Sequence, residues 1–493
     1  MVTTPIIPGF HPDPSICRVG DDYYLVNSTF EYLPSVPIFH SLDLVAWEQI
    51  GNILTRGEQL TLASSSGRGV YAPTLRYHDG RFYLVTTNVD DVRNGQIIVS
   101  ATDPSGPWSD PVRVPGTLGI DPDLSWDENG RCHLTWCSVM GGSPIVQAPI
   151  DIETGQMLAE PKALWPGTGL ASPEGPHLYH RDGWWYLLLA EGGTERGHAV
   201  TVARSRSITG PFEGNPGNPI LSHRSTTHPV QNTGHADFVE LADGSWAAVY
   251  LGVRPGGSTP GYHVNGRETF LAGIRWEEGW PFFEEEHFDV PEQDRSFEDD
   301  FATDELHPRW IAPGIHPARI VHAAAGGGIR ISAVEGEVSH RPLLCTRTEH
   351  PEWGASAVID GGAGRLVLRL DDAHWAGVEL HNGTVAARLR IGPLEQVLAT
   401  ATLPEPRGTV HTLGIRATRP ERGPFDGGPV DTVELGVAED GVFRVLASFD
   451  GRYLSTEVAG GFTGRVVGVE PTGTAGQTTL RHFSYRHTQG EKV

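Results

Sequence analysis

Three carboxylates and one imidazole stand at corresponding places in an internal repeat of this chain, and these are the residue types that acid–base chemistry uses. They are Asp13 in Pro12-Asp13-Pro14-Ser15, Asp121 in Asp121-Pro122-Asp123-Leu124, Glu174 in Pro173-Glu174-Gly175-Pro176 and His235 in His235-Ala236-Asp237-Phe238. The remaining copy, Ala72-Pro73-Thr74-Leu75, carries no titratable group. Carboxylates are rarely buried without a partner. Superposed repeats would bring these four side chains to one pocket, which reads as a catalytic funnel rather than as packing.

The elements that must position them follow each motif. Seven to nine residues downstream comes a Gly beside an acidic or polar residue, then alternating aromatic and apolar residues, as in Gly20-Asp21-Asp22-Tyr23-Tyr24-Leu25-Val26 and Asp182-Gly183-Trp184-Trp185-Tyr186-Leu187. The glycines are Gly20, Gly80, Gly130, Gly183 and Gly244. A period of roughly 50 to 60 residues is the size of one four-stranded propeller blade. Five copies predict an all-β fold with a five-bladed β-propeller, the motifs lying at the start of each innermost strand. Trp47, Trp108 and Phe212 recur in similar contexts from copy to copy, which predicts packing rather than substrate platforms.

Beyond about residue 295 the blade motif disappears. Strand patterns such as Gly364 to Leu370 and Val385 to Ile391 alternate apolar with polar residues, as expected of sheets with one buried face. The chain is therefore divided into a propeller over 1–295 and a β-sandwich over 296–493. The Pro- and Gly-rich stretch from Arg419 to Pro429 is expected to be a surface loop.

Composition narrows the function. The net charge of -24, from 61 acidic against 37 basic residues, disfavours nucleic acid and anionic lipid and suits a small neutral substrate. Homo-oligomer formation is compatible with it. Met1-Val2-Thr3-Thr4-Pro5 has no basic or apolar leader character and no stretch approaches 18 apolar residues, so a cytoplasmic location is expected. Four cysteines without CxxC spacing argue against a metal finger, and Cys132 is expected to be a small buried thiol.

Several strings resemble glycoside hydrolase family 43. They include Pro8-Gly9-Phe10-His11-Pro12-Asp13-Pro14-Ser15, Tyr71-Ala72-Pro73-Thr74, Pro173-Glu174-Gly175-Pro176-His177, Ala190-Glu191-Gly192-Gly193-Thr194-Glu195, Thr233-Gly234-His235-Ala236-Asp237 and Gly266-Arg267-Glu268-Thr269-Phe270. The later part resembles the concanavalin-like β-sandwich of that family's β-xylosidase branch. The resemblance implies an exo-acting, inverting hydrolase releasing terminal β-D-xylose, α-L-arabinofuranose or both from small oligosaccharides. It implies Asp13 as general base, Glu174 as general acid, and Asp121 as the carboxylate that orients the acid and raises its pKa. Inversion needs that division of labour, because one group protonates the leaving oxygen while the other activates water on the opposite face.

Rival readings stand beside these roles. Asp13 also suits a turn start, and Asp123 competes with Asp121 for the third role. Phe30, Tyr71 and Arg267 are implied to line the sugar site, although Phe30 also suits core packing and Arg267 could pair with Glu268. The chemistry requires no cofactor; His235 is either a hydrogen-bonded core residue or the holder of a hydrated Ca²⁺ ion on the propeller axis. Phe462, in Gly460-Gly461-Phe462-Thr463-Gly464, resembles a sandwich loop that closes the pocket. A retaining fructosidase-type propeller and a noncatalytic sugar-binding propeller are the alternatives; Pro-Asp-Pro-Ser in place of an Asn-Asp-Pro-Asn type of motif favours the first reading.

Overall fold

The structure, a computed structural model, describes residues 4–488 apart from 61, 63–66, 141–144, 258, 304, 335–340, 361–362, 404–409, 421–428, 440–441 and 473–475. Most of the loop expected between Arg419 and Pro429 thus lies outside the described residues. The chain forms two compact units: Met1–Arg254 with Arg267–Pro291, and Pro255–Gly266 with Glu292–Val493.

In the first unit the alternating segments form five antiparallel four-stranded sheets among the described residues. Each is entered through the strand that carries or follows one of the repeated motifs: β1 (Ser15–Val19), β2 (Thr74–His78), β3 (Gly119–Trp126), β4 (Glu174–Arg181) and β5 (Gln231–Glu240). The repeat glycines make the turn from each of these strands to the next, with φ of +64, +77, +75, +72 and +84° for Gly20, Gly80, Gly130, Gly183 and Gly244. Only a residue without Cβ takes that conformation at no steric cost, which is why the repeat keeps Gly there.

The five sheets form a closed cycle. β1 touches β2, β2 touches β3, β3 touches β4, β4 touches β5, and β5 returns to β1. A separate apolar layer lies between each sheet and the next. Leu75, Phe82 and Trp108 pack on Val26 and Ile38; Leu124 and Trp136 on Val85 and Ile98; Leu187 and Trp185 on Ile145. Phe238 and Tyr250 pack on Tyr186 and Leu188, and Val249 and Leu271 on Leu25 and Phe39. Trp47, Trp108 and Phe212 all belong to these layers, as their repetition predicted. The N-terminal Ile6 and Ile7 join the last layer, and their amides donate to the Thr269 carbonyl, so the start of the chain is tied to the fifth sheet.

In the second unit an eight-stranded and a six-stranded antiparallel sheet share one core. The strand Trp353–Asp360 shows why: its residues alternate buried and half-buried, sending Trp353, Ala355, Ala357 and Ile359 into that core. Trp310, Leu366, Ile415 and Phe483 complete it. Pro255–Gly266 joins this unit although it lies in sequence between two strands of the fifth sheet, and His263 Nδ1 lies 2.7 Å from Glu457 Oε1.

Candidate active site

The repeated motifs share a backbone feature that pattern alone did not give. Strand pairing makes Ser15, Asp123, His177 and Asp237 equivalent, and two residues before each the backbone is left-handed: Asp13 (φ 54°), Asp121 (55°), Gly175 (56°) and His235 (47°). A left-handed non-Gly residue costs about 1–2 kcal/mol and is usually retained where it aims a side chain. Glu174 therefore stands one residue ahead of the position that Asp13, Asp121 and His235 occupy, a correction to the simple superposition of motifs. The reason is steric. A Cβ at residue 175 would crowd His235 Nε2 at 3.0 Å in a left-handed backbone, which favours Gly there, and the carboxyl is supplied by its longer-armed neighbour.

The three carboxyls interact through this arrangement. The Gly175 N–H donates to Asp121 Oδ2 at 3.1 Å, linking Asp121 to the residue next to Glu174. Asp13 is buried; Ser28 Oγ donates to its Oδ2 at 2.5 Å and Arg267 Nη1 to its Oδ1 at 2.9 Å. Burial pushes the Asp13 pKa up, but the charge of Arg267 and the Ser28 hydrogen bond outweigh it and hold the carboxyl below its ordinary value. Glu174 goes the other way, to about 7, because burial and then the charge of Asp13 both favour its protonated form. Asp121 is raised well above the usual carboxylate range by burial and by the charges of Glu174 and Asp13. Near neutral pH the cluster thus combines an ionised Asp13 with protons retained on the Asp121–Glu174 pair.

Aromatic residues border this cluster. Phe30, itself left-handed at φ 52°, lies with its centroid 5.7 Å from the Arg267 guanidinium carbon and 5.3 Å from the Tyr71 ring. Tyr71 is half-buried and its hydroxyl donates to the Gly67 carbonyl. Arg267 also donates to Thr194 Oγ1 at 3.1 Å, whereas Glu268 is held by Arg254 at 2.7 and 2.8 Å. The expected alternative of an Arg267–Glu268 pair is therefore not what forms. Phe462 follows the short helix Thr456–Ala459 of the second unit, with its ring exposed.

Sequence reasoning missed Arg76. Its half-buried guanidinium reaches Asp123 at 2.8 Å, Asp237 at 2.7 Å and His177 Nδ1 at 3.0 Å, joining inner strands β2, β3, β4 and β5. Tyr179 and Ser15 donate to Asp237 as well. Asp123 is thus paired with Arg76, while Asp121 accepts from the Gly175 N–H next to Glu174. The available signal was that Arg76 is the one cation two residues past the equivalents of Ser15.

The same network surrounds His235, the residue expected to hold a hydrated Ca²⁺ ion. His235 is buried, its Nδ1 is 3.7 Å from Asp13 Oδ1, and burial lowers its pKa to about 4, so it is neutral. Calcium takes six to eight oxygen ligands. Here the carboxylate oxygens of Asp13 and Asp237 are already bonded to Arg267, Ser28, Arg76, Tyr179 and Ser15, and Arg76 supplies the positive charge. The side-chain oxygens around His235 do not form an all-protein cage, so an ion held there would take most of its ligands from water.

A carboxyl held ionised in the same cluster as one held protonated, on sheets that touch in a closed cycle of five, suits acid–base hydrolysis of a glycoside. Residues 2–281 match the model of glycosyl hydrolases family 43, and residues 298–488 match the beta xylosidase C-terminal Concanavalin A-like domain. The chain belongs to glycosyl hydrolase family 43. It is 36% identical to a non-reducing end alpha-L-arabinofuranosidase of Bacteroides ovatus, over 96% of this chain and 92% of that protein. A xylosidase/arabinosidase of Butyrivibrio fibrisolvens is 47% identical, but the match spans 57% of this chain and only 56% of that protein's length. Among solved structures, the Bacteroides ovatus xyloglucan-locus GH43B superposes with a TM-score of 0.87 at 34% identity, covering 98% of this chain and 99% of that one. A xylan beta-1,4-xylosidase from Bacillus halodurans also gives 0.87, at 29% identity, over 99% and 100% of the two chains.

Proposed function

We propose that the protein is an exo-acting, inverting glycosidase that releases terminal pentoses, β-D-xylose from xylo-oligosaccharides, α-L-arabinofuranose from arabino-oligosaccharides, or both. We read the five sheets as the blades of a five-bladed propeller whose inner strands ring the substrate pocket. The observation that carries this reading is the opposite tuning of two carboxyls: Asp13 held ionised by Arg267 and Ser28, and Glu174 held protonated up to about pH 7. Pairs of titratable groups pushed apart in this way mark base and acid.

In the proposed step Glu174 gives its proton to the glycosidic oxygen as the bond from that oxygen to the anomeric carbon breaks. Asp13 takes a proton from a water whose oxygen bonds to the opposite face of the same carbon, so configuration inverts. Asp121 acts through Glu174: it fixes the Gly175 amide and shares in retaining the proton. Arg267 and Phe30, joined to Asp13 by geometry, form the wall that orients the sugar.

The names of the relatives support both pentose classes, so the test is paired. Purified protein is assayed on 4-nitrophenyl β-D-xyloside and 4-nitrophenyl α-L-arabinofuranoside. Turnover of at least one, lost with Asp13→Ala, is expected. Binding of xylo-oligosaccharide without hydrolysis of either would favour a sugar-binding propeller instead.

A further inference from the structure

Away from the carboxyl cluster, the first unit assembles a second group of ligand-type side chains. His223 and His228 lie in the segment that leads into β5, and Glu285 follows the strand Trp280–Glu284 at the end of the fifth sheet. One ligand atom from each falls within 4.8 Å of the others. His223 Nε2 is 3.0 Å from Glu285 Oε2, and the two imidazoles are 3.8 Å apart between centroids, inclined at 35°.

The surroundings are built to hold these groups. His223 directs Nδ1 to the Val230 carbonyl at 2.8 Å, while His228 Nδ1 lies 3.1 Å from the same carbonyl and accepts from the Val230 N–H at 3.2 Å. For His223, holding Nδ1 on that carbonyl turns Nε2 toward Glu285 Oε2, and support of the far ring nitrogen by a carbonyl is the usual setting of a ligating histidine. The carboxylate is oriented likewise, since the buried Tyr250 hydroxyl donates to Glu285 Oε1 at 2.9 Å and leaves Oε2 toward the histidines. Thr226 ties the turn itself, donating to the His223 carbonyl at 2.7 Å and accepting from the His228 N–H at 3.2 Å.

We propose that His223, His228 and Glu285 form a binding site for one borderline divalent transition-metal ion, Zn²⁺ being the representative. Two imidazoles and one carboxylate suit this class and not the harder Ca²⁺ or Mg²⁺. Ligand atoms on one tetrahedral zinc lie about 3.3 Å apart, given bonds of roughly 2.0–2.1 Å, and the His223–Glu285 separation of 3.0 Å already approaches this. The third ligand needs a shift of His228, a half-exposed side chain whose ring now lies against His223. The fourth position falls to water. The ion would clamp the entry to β5, the strand bearing His235, to the last strand of the fifth sheet, and so stabilise the first unit without touching the reacting carboxyls.

The test uses tag-free, full-length protein dialysed against a chelator and titrated with ZnCl₂ in competition with a chromophoric chelator. One equivalent should bind, thermal unfolding should move upward with added Zn²⁺, and His228→Ala and Glu285→Gln should each weaken binding at least about tenfold while hydrolysis by metal-free enzyme stays at the wild-type rate. Circular dichroism establishes that both variants are folded. Absence of stoichiometric binding by wild type, or binding undiminished in both folded variants, overturns the proposal. Binding of Ca²⁺ in preference to Zn²⁺ would overturn the assignment of metal class.

Discussion

Replacing Gly175 by Ala should separate the aim of the acid from the stability of the sheet that carries it. The new methyl group would stand 3.0, 3.1 and 3.2 Å from Nε2, Cε1 and Cδ2 of His235. That ring is buried with Asp13 beside it at 3.7 Å, so it cannot swing away freely and the Glu174–Gly175 backbone must yield by a few tenths of an ångström. Left-handed strain at φ 56° costs about 1–2 kcal/mol, and stretching the 3.1 Å amide bond to Asp121 costs about 1 kcal/mol more. The sum, roughly 2–3 kcal/mol, corresponds to a fall in Tm of about 4–12 °C for a unit of this size. Because a misplacement near 1 Å costs about 100-fold in rate, the smaller shift here should lower kcat by roughly 10- to 100-fold. Gly20→Ala is the control. It has a similar φ of 64° but nothing within 4 Å of the added Cβ, so it should lose stability only. The assay is kcat on a nitrophenyl pentoside beside Tm for both variants; equal activity in the two would refute the claim that Gly175 aims Glu174.

The pH profile of kcat/KM should be bell-shaped. Activity falls below the ordinary carboxylate range as Asp13, whose pKa is lowered, gains a proton, and falls above about pH 7 as Glu174, whose pKa is raised, loses one. Asp121→Asn replaces the carboxyl that accepts the Gly175 N–H beside Glu174 and should move the alkaline limb downward, whereas an unmoved limb in a folded variant would take Asp121 out of the site. Glu174→Ala should reduce turnover of natural disaccharides by several orders of magnitude but spare aryl glycosides with good leaving groups, and equal slowing of both would remove Glu174 as the acid. Arg76→Ala strands Asp123 and Asp237 in the interior and should destabilise the protein by about 3–5 kcal/mol, read as a lowered denaturant midpoint; a change under about 1 kcal/mol would mean the pair is not a net support.

The sheets were legible because each copy of the repeat is locally self-sufficient: a Gly that must turn, then alternating residues whose apolar members face the neighbouring sheet. Asp13, Asp121, Glu174 and His235 were legible for the same reason, since the motifs mark where each inner strand begins. The one-residue offset of Glu174 was not, because register shifts between Glu174 and His177, and between Ile120 and Asp123, change the count without changing the pattern. Arg76 escaped because its partners lie 47 and 161 residues away on other strands, and no local spacing encodes that. Pro255–Gly266 reads as a loop of the fifth sheet, yet its partners, such as Glu457 for His263, come from the far end of the chain.

The central claim is that Asp13 and Glu174 work from opposite faces of the sugar in a single displacement. Following the first-formed product by proton NMR tests it most directly, using whichever of the two pentosides is turned over and early time points before mutarotation. From a β-D-xyloside the account predicts α-xylose first, and from an α-L-arabinofuranoside the β anomer. Initial release with retained configuration would contradict it, because retention requires a covalent glycosyl-enzyme step in which one carboxylate attacks the sugar itself.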